Sequence, residues 1–259
     1  MIEFATEPRL TNRHGLPDAF VNAISKHTHK GADISATGLK LSPRQFWLSR
    51  RHADEITEDV SDRLWALWGT TFHAIMEDGG DDTLHRELYC ETEIAGRKLS
   101  GTIDRVLKDG SIEDWKTTSV FTVMYGSSVD DWTAQLNVYA YLLKIVHGIE
   151  APSLSIWAMM RDHRTGEIEK FGERYPVSPV KKIPIEKWTH EVAEQFIKDR
   201  ISDIFAHEAT PDSDLPKCTK DQVWWNDKKK IPNKCPKYCN GRDFCNQYQG
   251  FIKAEKPDD

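Results

Sequence analysis

Three runs rich in Leu, Ile, Val, Thr and Tyr, at residues 88–95, 98–107 and 111–116, are parted by Ala95-Gly96 and Asp109-Gly110. Apolar runs punctuated by such turn pairs read as three antiparallel strands. Side chains alternate faces along a strand, so Asp114 and Lys116 share one face and Trp115 takes the other. With Asp104 facing the same way on the neighbouring strand, two carboxylates converge beside an ammonium. Mg²⁺ prefers oxygen ligands at about 2.0–2.1 Å and keeps several waters, so two aspartates together with phosphate oxygens would suit it. There the metal would act as Lewis acid, and Lys116 would orient or help deprotonate a water and offset charge building at phosphorus. The competing reading is a solvated strand on which Asp104, Asp114 and Lys116 are ordinary surface charges.

The flanking segments add to this. Residues 57–78 carry Val60, Leu64, Leu67, Trp68, Phe72, Ile75 and Met76 at helical spacing, followed by Gly79-Gly80 as a stop. His73 and Glu77 are one helical turn apart on a common face. An imidazole there could join a metal shell or hold a metal-bound water, or be a partly buried histidine with no ligand role. Residues 130–148 predict a second helix, with Gln135 and Tyr139 again one turn apart and Leu136, Val138, Leu142 and Val146 behind them. Gln135 could bond a phosphate or Lys116, and Tyr139 could contact a nucleic-acid backbone; otherwise they form a polar stripe at a core margin.

Taken in order, Gly69-x-x-x-His73-x-x-x-Glu77, Gly101-x-x-Asp104, Asp114-x-Lys116-Thr117 and Gln135-x-x-x-Tyr139 resemble the motifs of the RecB-type branch of the PD-(D/E)XK nuclease superfamily. The resemblance spans roughly residues 40–160 and extends to the C-terminal cysteines. It implies an α/β fold with a restriction-endonuclease-like central mixed β-sheet flanked by helices, Mg²⁺ or Mn²⁺ as cofactor, and DNA as substrate. By motif position it implies that His73, Asp104, Asp114 and the Trp115 carbonyl hold the metal. Lys116 is then the catalytic lysine, with Gln135 and Tyr139 as substrate-binding residues on the following helix. Glu91 or Glu93, on the preceding strand, could face the same pocket.

Cys218, Cys235, Cys239 and Cys245 gather near the C-terminus, while Cys90 stands alone in a predicted strand. Four clustered cysteines in an intracellular enzyme point to a metal site before a pair of disulfides, and thiolates suit either Zn²⁺ or an iron–sulfur cluster. RecB-type nucleases of the AddB and CRISPR-adaptation kinds hold a [4Fe–4S] cluster with three C-terminal cysteines and one upstream. The resemblance therefore favours a cluster over Zn²⁺. This chain departs from that pattern: the first gap is Cys-x-x-x-Cys, and no cysteine precedes the nuclease core, so Cys218 would be the fourth ligand.

The formal net charge is −6, yet a nuclease needs positive charge only along the track of the strand. Lys217, Lys220, Lys228, Lys229, Lys230, Lys234 and Lys237 crowd the cysteine region with Trp224, Trp225 and Tyr238 among them. These could bind phosphates and stack bases, or form a solvated loop whose tryptophans pack inward. A second basic group, Lys40, Arg44, Arg50, Arg51 and His52, lies on a predicted helix with Phe46, Trp47 and Leu48. It could flank a substrate channel or be the exposed face of a structural helix. His27 and His29 lie close together without acidic or cysteine partners.

No run of eighteen apolar residues and no basic-then-apolar leader appears, which reads as a cytoplasmic protein with no membrane partner. Further strands are predicted at 153–162 and 166–177, and an amphipathic helix at 185–206. The expected organisation is an N-terminal arm over 1–35, a nuclease core over 36–210, and a small cysteine-rich, metal-stapled lobe over 211–259. The resulting expectation is a Mg²⁺-dependent DNA exonuclease of recombination, repair or phage replication. The alternatives are a non-cleaving DNA-end or single-strand binding subunit on the same scaffold, or a restriction-type endonuclease. A single-strand annealing protein or a homo-oligomer would be compatible partners.

Overall fold

The computed structural model describes residues 9–25, 31–77 and 82–255; His27, His29 and Gly79-Gly80 lie outside them. In chain order the elements are β1 (Arg9–Thr11), α1 (Asp18–Ile24), β2 (Ile34–Ser35), α2 (Pro43–Arg51), β3 (Thr57–Asp59), α3 (Leu64–Glu77), β4 (Thr83–Ile94), β5 (Arg97–Leu107) and β6 (Ile112–Thr118). They continue with α4 (Val120–Tyr125), α5 (Val129–His147), β7 (Leu154–Met160), α6 (Ile168–Phe171), β8 (Val180–Ile185), α7 (His190–Phe205), β9 (Trp225–Asn226), β10 (Ile231–Pro232), α8 (Cys235–Tyr238) and α9 (Asn246–Glu255). Two compact units divide the chain. One comprises Gly31–Lys40 and Trp65–Lys198, and the other Met1–Lys30, Leu41–Leu64 and Asp199–Asp259.

The first of these is built on a mixed six-stranded sheet of order β2-β5-β6-β7-β8, with β4 paired to β5. The β4–β5 hairpin closes through Ala95 and Gly96, at φ 50° and 70°, the left-handed pair that a two-residue hairpin with right-handed twist requires. Gly110 turns the chain into β6 at φ 90°, and a Cβ there would strike the Glu150 carbonyl. β6 and β7 run parallel, from Ile112 opposite Leu154 to Thr118 opposite Met160. Parallel neighbours need a long crossover, which α4 and α5 supply. Leu136, Leu142 and Leu143 of α5, and Leu99, Ile103, Val106, Ile112 and Ile156 of the sheet, are completely buried. Burial of each such side chain contributes about 1.5–3 kcal/mol.

Three expectations are corrected. Residues 57–59 are not part of the helix: Thr57–Asp59 pairs in parallel with Arg9–Thr11, and Val60–Arg63 forms a 3-10 turn that leads into α3. The Asp59 carboxylate there accepts hydrogen bonds from the Thr11 hydroxyl and the Arg13 N–H, which tie the extended segment to β1, and from Ser61, which caps the turn that follows. Residues 166–177 are short helical turns rather than a strand, because Gly172 at φ 58° breaks the run and Tyr175 turns inward to pack with Val120 and Met160. The strand antiparallel to β7 is instead Val180–Ile185. Its exposure and internal Pro184 fit an edge strand. Consequently the following helix begins at His190, not at 185.

The other unit is organised by α2. Its N-cap Ser42 accepts from the Gln45 N–H and Pro43 takes the first helical position, where a missing N–H costs nothing. Trp47 Nε1 donates to the Ile204 carbonyl at 2.7 Å, and Phe46, Trp47 and Phe205 meet edge to face. Arg44 is buried, and its guanidinium donates to the Pro216 and Leu215 carbonyls and to Asn246 Oδ1. Arg51 donates to the His207, Glu208 and Thr210 carbonyls and pairs with Asp212. Both arginines therefore tether the C-terminal segment instead of facing a substrate channel. Among the described residues no helix is long and apolar enough to cross a membrane.

Gly110→Ala should lower unfolding stability by about 1–3 kcal/mol through backbone strain and the clash. Gly166→Ala, where a Cβ meets open space, should change it by less than about 0.5 kcal/mol. Denaturant titration of the two variants checks both.

Candidate metal centre

The sheet itself opens the site. β5 and β6 are paired only at Arg105 with Glu113 and Val106 with Ile112, while β2 takes the same edge of β5 farther along, at Leu99 and Ser100. In the gap between them the Trp115 N–H, lacking a strand carbonyl, donates to Asp104 Oδ2 at 2.8 Å. Alternation along β6 puts Asp114 and Lys116 on a common face, and Lys116 Nζ lies 2.5 Å from Asp114 Oδ2. Asp114 is completely buried, and neither of its oxygens accepts a directed hydrogen bond.

α3 and β4 add two further groups. His73 Nδ1 is 3.4 Å from Asp104 Oδ2 and 3.9 Å from Glu87 Oε1. Ligand atoms of His73, Glu87 and Asp104 all lie within 4.8 Å of one another. Glu87 arrives there by a departure from regular strand geometry. Its neighbours pair as Arg86 with Arg105 and Leu88 with Ile103, so it stands opposite Asp104, and its φ of 45° is left-handed. A non-glycine residue held in that region costs of order 1–3 kcal/mol and persists where its surroundings enforce it. Glu91, by contrast, sits opposite Ser100 and accepts from the Tyr89 hydroxyl at 2.6 Å. Four residues along the strand from Asp104, it is roughly 13 Å away, and Glu93 is farther still.

Gln135 and Tyr139, expected to face a substrate, are both buried, and Gln135 Nε2 donates to the Tyr139 hydroxyl at 2.8 Å. The Tyr139 ring packs on Gly101, where a Cβ would come within 2.9 Å of it. That contact explains the glycine three residues before Asp104. Burial raises the Tyr139 phenol pKa, and the Asp114 charge adds to the rise.

Charge is unbalanced here. Burial, then the neighbouring Asp114 carboxylate, push Asp104 up to about 7. Burial would lower the Lys116 pKa, but the Asp114 and Asp104 charges outweigh it and the net shift is upward, so Lys116 stays an ammonium. Glu87 raises the His73 pKa against the effect of burial, and Asp104 raises it further. Carboxylates and an imidazole, short of counter-charge and close enough to share an ion, fit a hard divalent cation such as Mg²⁺ or Mn²⁺. Glu87 carried no motif and no periodic signal; only the pairing of β4 with β5 brings it to Asp104.

The four C-terminal cysteines, in the other unit, are free thiols lining one small cavity with Arg44, Gln45, Leu48 and Val223. Cys218 Sγ is 3.1 Å from the Ser42 hydroxyl, and the Gln247 side chain clasps the Cys218 backbone through both N–H and carbonyl. Burial, reinforced by Cys239 and the other two cysteines, pushes Cys235 up to about 12.

A cation needs Asp104 ionised, so Mn²⁺ affinity should rise as pH increases from 6 to 8. In the metal-free protein the raised carboxyl stabilises the fold below its ordinary value of 3.8, and that contribution is lost as pH rises to about 7. Glu87→Gln should weaken Mn²⁺ binding about tenfold and Glu91→Gln should leave it unchanged, as read by calorimetric titration.

Comparison with known proteins agrees with this geometry. No curated protein matches the chain. Among solved structures, a crystal structure of SSO0001 is similar with a TM-score of 0.54 at 14% identity, over 89% of this chain and 94% of that one, a likeness of fold. The model of the PD-(D/E)XK nuclease superfamily matches residues 78–246, more than half of the 259 residues and inclusive of Asp104, Asp114 and Lys116. The chain belongs to the PD-(D/E)XK nuclease superfamily.

Proposed function

We propose that the protein is a divalent-cation-dependent DNA exonuclease of the RecB-type branch, acting in recombination, repair or phage replication. The observation that carries this reading is the Lys116–Asp114 pair beside Asp104 at the split between β5 and β6. His73, Glu87, Asp104, Asp114 and the Trp115 carbonyl would hold Mg²⁺ or Mn²⁺. When bound, that ion supplies Lewis-acid polarisation of the phosphate and acidifies a water. Lys116, kept protonated by its two aspartates, orients the attacking water and offsets charge on the phosphoryl oxygens; removing a proton from that water is not its part. Gln135 and Tyr139 act from beneath, with the Tyr139 ring holding β5 at Gly101 so that Asp104 is presented at the gap. The motif order Gly-x-x-Asp, Asp-x-Lys and Gln-x-x-x-Tyr supports the RecB-type assignment.

The same reading makes Cys218, Cys235, Cys239 and Cys245 the ligands of a [4Fe–4S] cluster. Their convergence on one cavity supports it, since four soft donors are what such a cluster takes.

Asp104→Asn, Asp114→Asn and Lys116→Gln should each reduce cleavage of end-labelled linear duplex by about 10²–10³-fold or more with unchanged near-UV dichroism. Covalently closed circles should resist the wild type. No cleavage of any DNA with Mg²⁺ would favour a binding subunit, and cutting of closed circles an endonuclease. Protein purified anaerobically should show broad visible absorption with iron and sulfide, lost in Cys239→Ala; zinc alone would overturn the cluster assignment.

A further inference from the structure

From Lys217 to Lys237 the chain carries seven lysines against Asp221 and Asp227, a local net charge of +5 in a protein of net −6. The remaining residues therefore sum to −11, and this segment is a net-positive stretch in an otherwise net-negative chain. Structure gives the concentration a shape. β9 and β10 form an antiparallel hairpin whose tip is Lys228, Lys229 and Lys230, all exposed. The Asn226 side chain accepts the N–H groups of Lys228 and Lys229 at 3.1 and 3.0 Å, and the Lys230 N–H returns to the Asn226 carbonyl at 2.7 Å, so the tip is fixed. Asp227, the remaining residue of that turn, pairs with Lys220 at 3.4 Å.

At the base of the hairpin two adjacent tryptophans part company. Trp225 turns in against Phe251, with ring centroids 5.3 Å apart. Trp224, at φ 52°, turns out. It is 46% exposed beside Tyr238, which is 62% exposed, with their centroids 5.2 Å apart. Lys234 Nζ lies 5.5 Å from the Trp224 ring centre. Backbone bonds from the Asn233 N–H to the Trp224 carbonyl and from the Lys234 N–H to the Val223 carbonyl hold the display in place.

We propose that this surface binds a single-stranded stretch of nucleic acid, with the hairpin-tip lysines on its phosphates and an unpaired base stacked on Trp224 and Tyr238. The choice of polymer rests on the nuclease reading; the binding itself does not require cleavage. Exposed ring faces suit bases whose own faces are free, which a duplex does not offer along its length. An anionic membrane fits less well, because interfacial aromatics must reach past the basic residues into the acyl boundary. Here the lysines form the tip and the rings lie at the base.

The test uses the full chain in EDTA, so that hydrolysis is excluded, with labelled oligo-dT of about 20 nucleotides followed by fluorescence anisotropy over a salt series. Each single-strand phosphate contact contributes about −0.7 to the slope of log K against log salt. The variant with Lys228, Lys229 and Lys230 all changed to Gln should therefore bind more than about tenfold more weakly, with the slope shallower by about 2. Trp224→Ala should lose about tenfold, within the range for one stacked base, with its slope unchanged. Trp224→Phe should stay within about threefold of wild type and guards against a folding effect. Wild-type affinity in either of the first two variants would overturn the proposal, as would equal or tighter wild-type binding to blunt duplex or to phosphatidylserine vesicles. Binding as expected in a protein that cuts no DNA with Mg²⁺ would sink the hydrolytic reading and leave this surface standing; cutting by a protein whose variants bind like wild type would do the reverse.

Discussion

A half-buried lysine paired with a fully buried aspartate, at the point where two strands separate, is the contact on which the sheet-bearing unit turns. Lys116 and Asp114 lie on β6 just past its last pairing with β5. Taking the Asp114 charge out of water is costly, and the Lys116 ammonium offsets that cost. Their surroundings are arranged to keep them together. Asp104 stands in for a strand carbonyl toward Trp115, and the Tyr139 ring lies against Gly101 under the same strand. The result is a partly satisfied polar pocket in which Asp104 is pushed up to about 7. Such a pocket is a poor contribution to stability and a good place for a cation.

In the other unit the comparable role falls to an arginine. Arg44 lies inside, its donors spent on the backbone of 215–216 and on Asn246. An arginine presents a fixed fork of donors that no lysine could match there. Through it α2 is bound to the residues that flank Cys218. The cavity lined by the four cysteines is thus assembled from the N-terminal end of α2 and from a segment with little regular structure of its own.

Much of the sheet and the candidate site was legible in the sequence because turn pairs and period-2 alternation are strong local signals. Ala95-Gly96, Gly110 and the spacing of Asp104, Asp114 and Lys116 foretold the hairpins and which side chains would meet. What was not legible depended on pairing between distant segments. Contacts of Asp59 with Thr11 and Arg13 hold Thr57–Asp59 extended beside β1 and delay the helix to Val60. Glu87 reaches the metal-binding group only because β4 lies along β5 with an irregular backbone at that residue, whereas Glu91, an equally good acid by composition, falls opposite the wrong residue. Arg44 and Arg51 read as surface charge because nothing local announces that their partners lie more than 150 residues away.

That last separation has a kinetic side. Phe46, Trp47 and Leu48 of α2 bury themselves against a unit completed by Asp199–Asp259. At synthesis rates of about 5–20 residues per second, α2 leaves the ribosome some 10–30 s before those partners exist. During that interval the apolar Phe46, Trp47 and Leu48 have nothing to lie against. The unit that holds the cysteines can therefore complete its native form only once Asp199–Asp259 has been made, and any prosthetic group held by all four cysteines can be installed only after Cys245 has been synthesised.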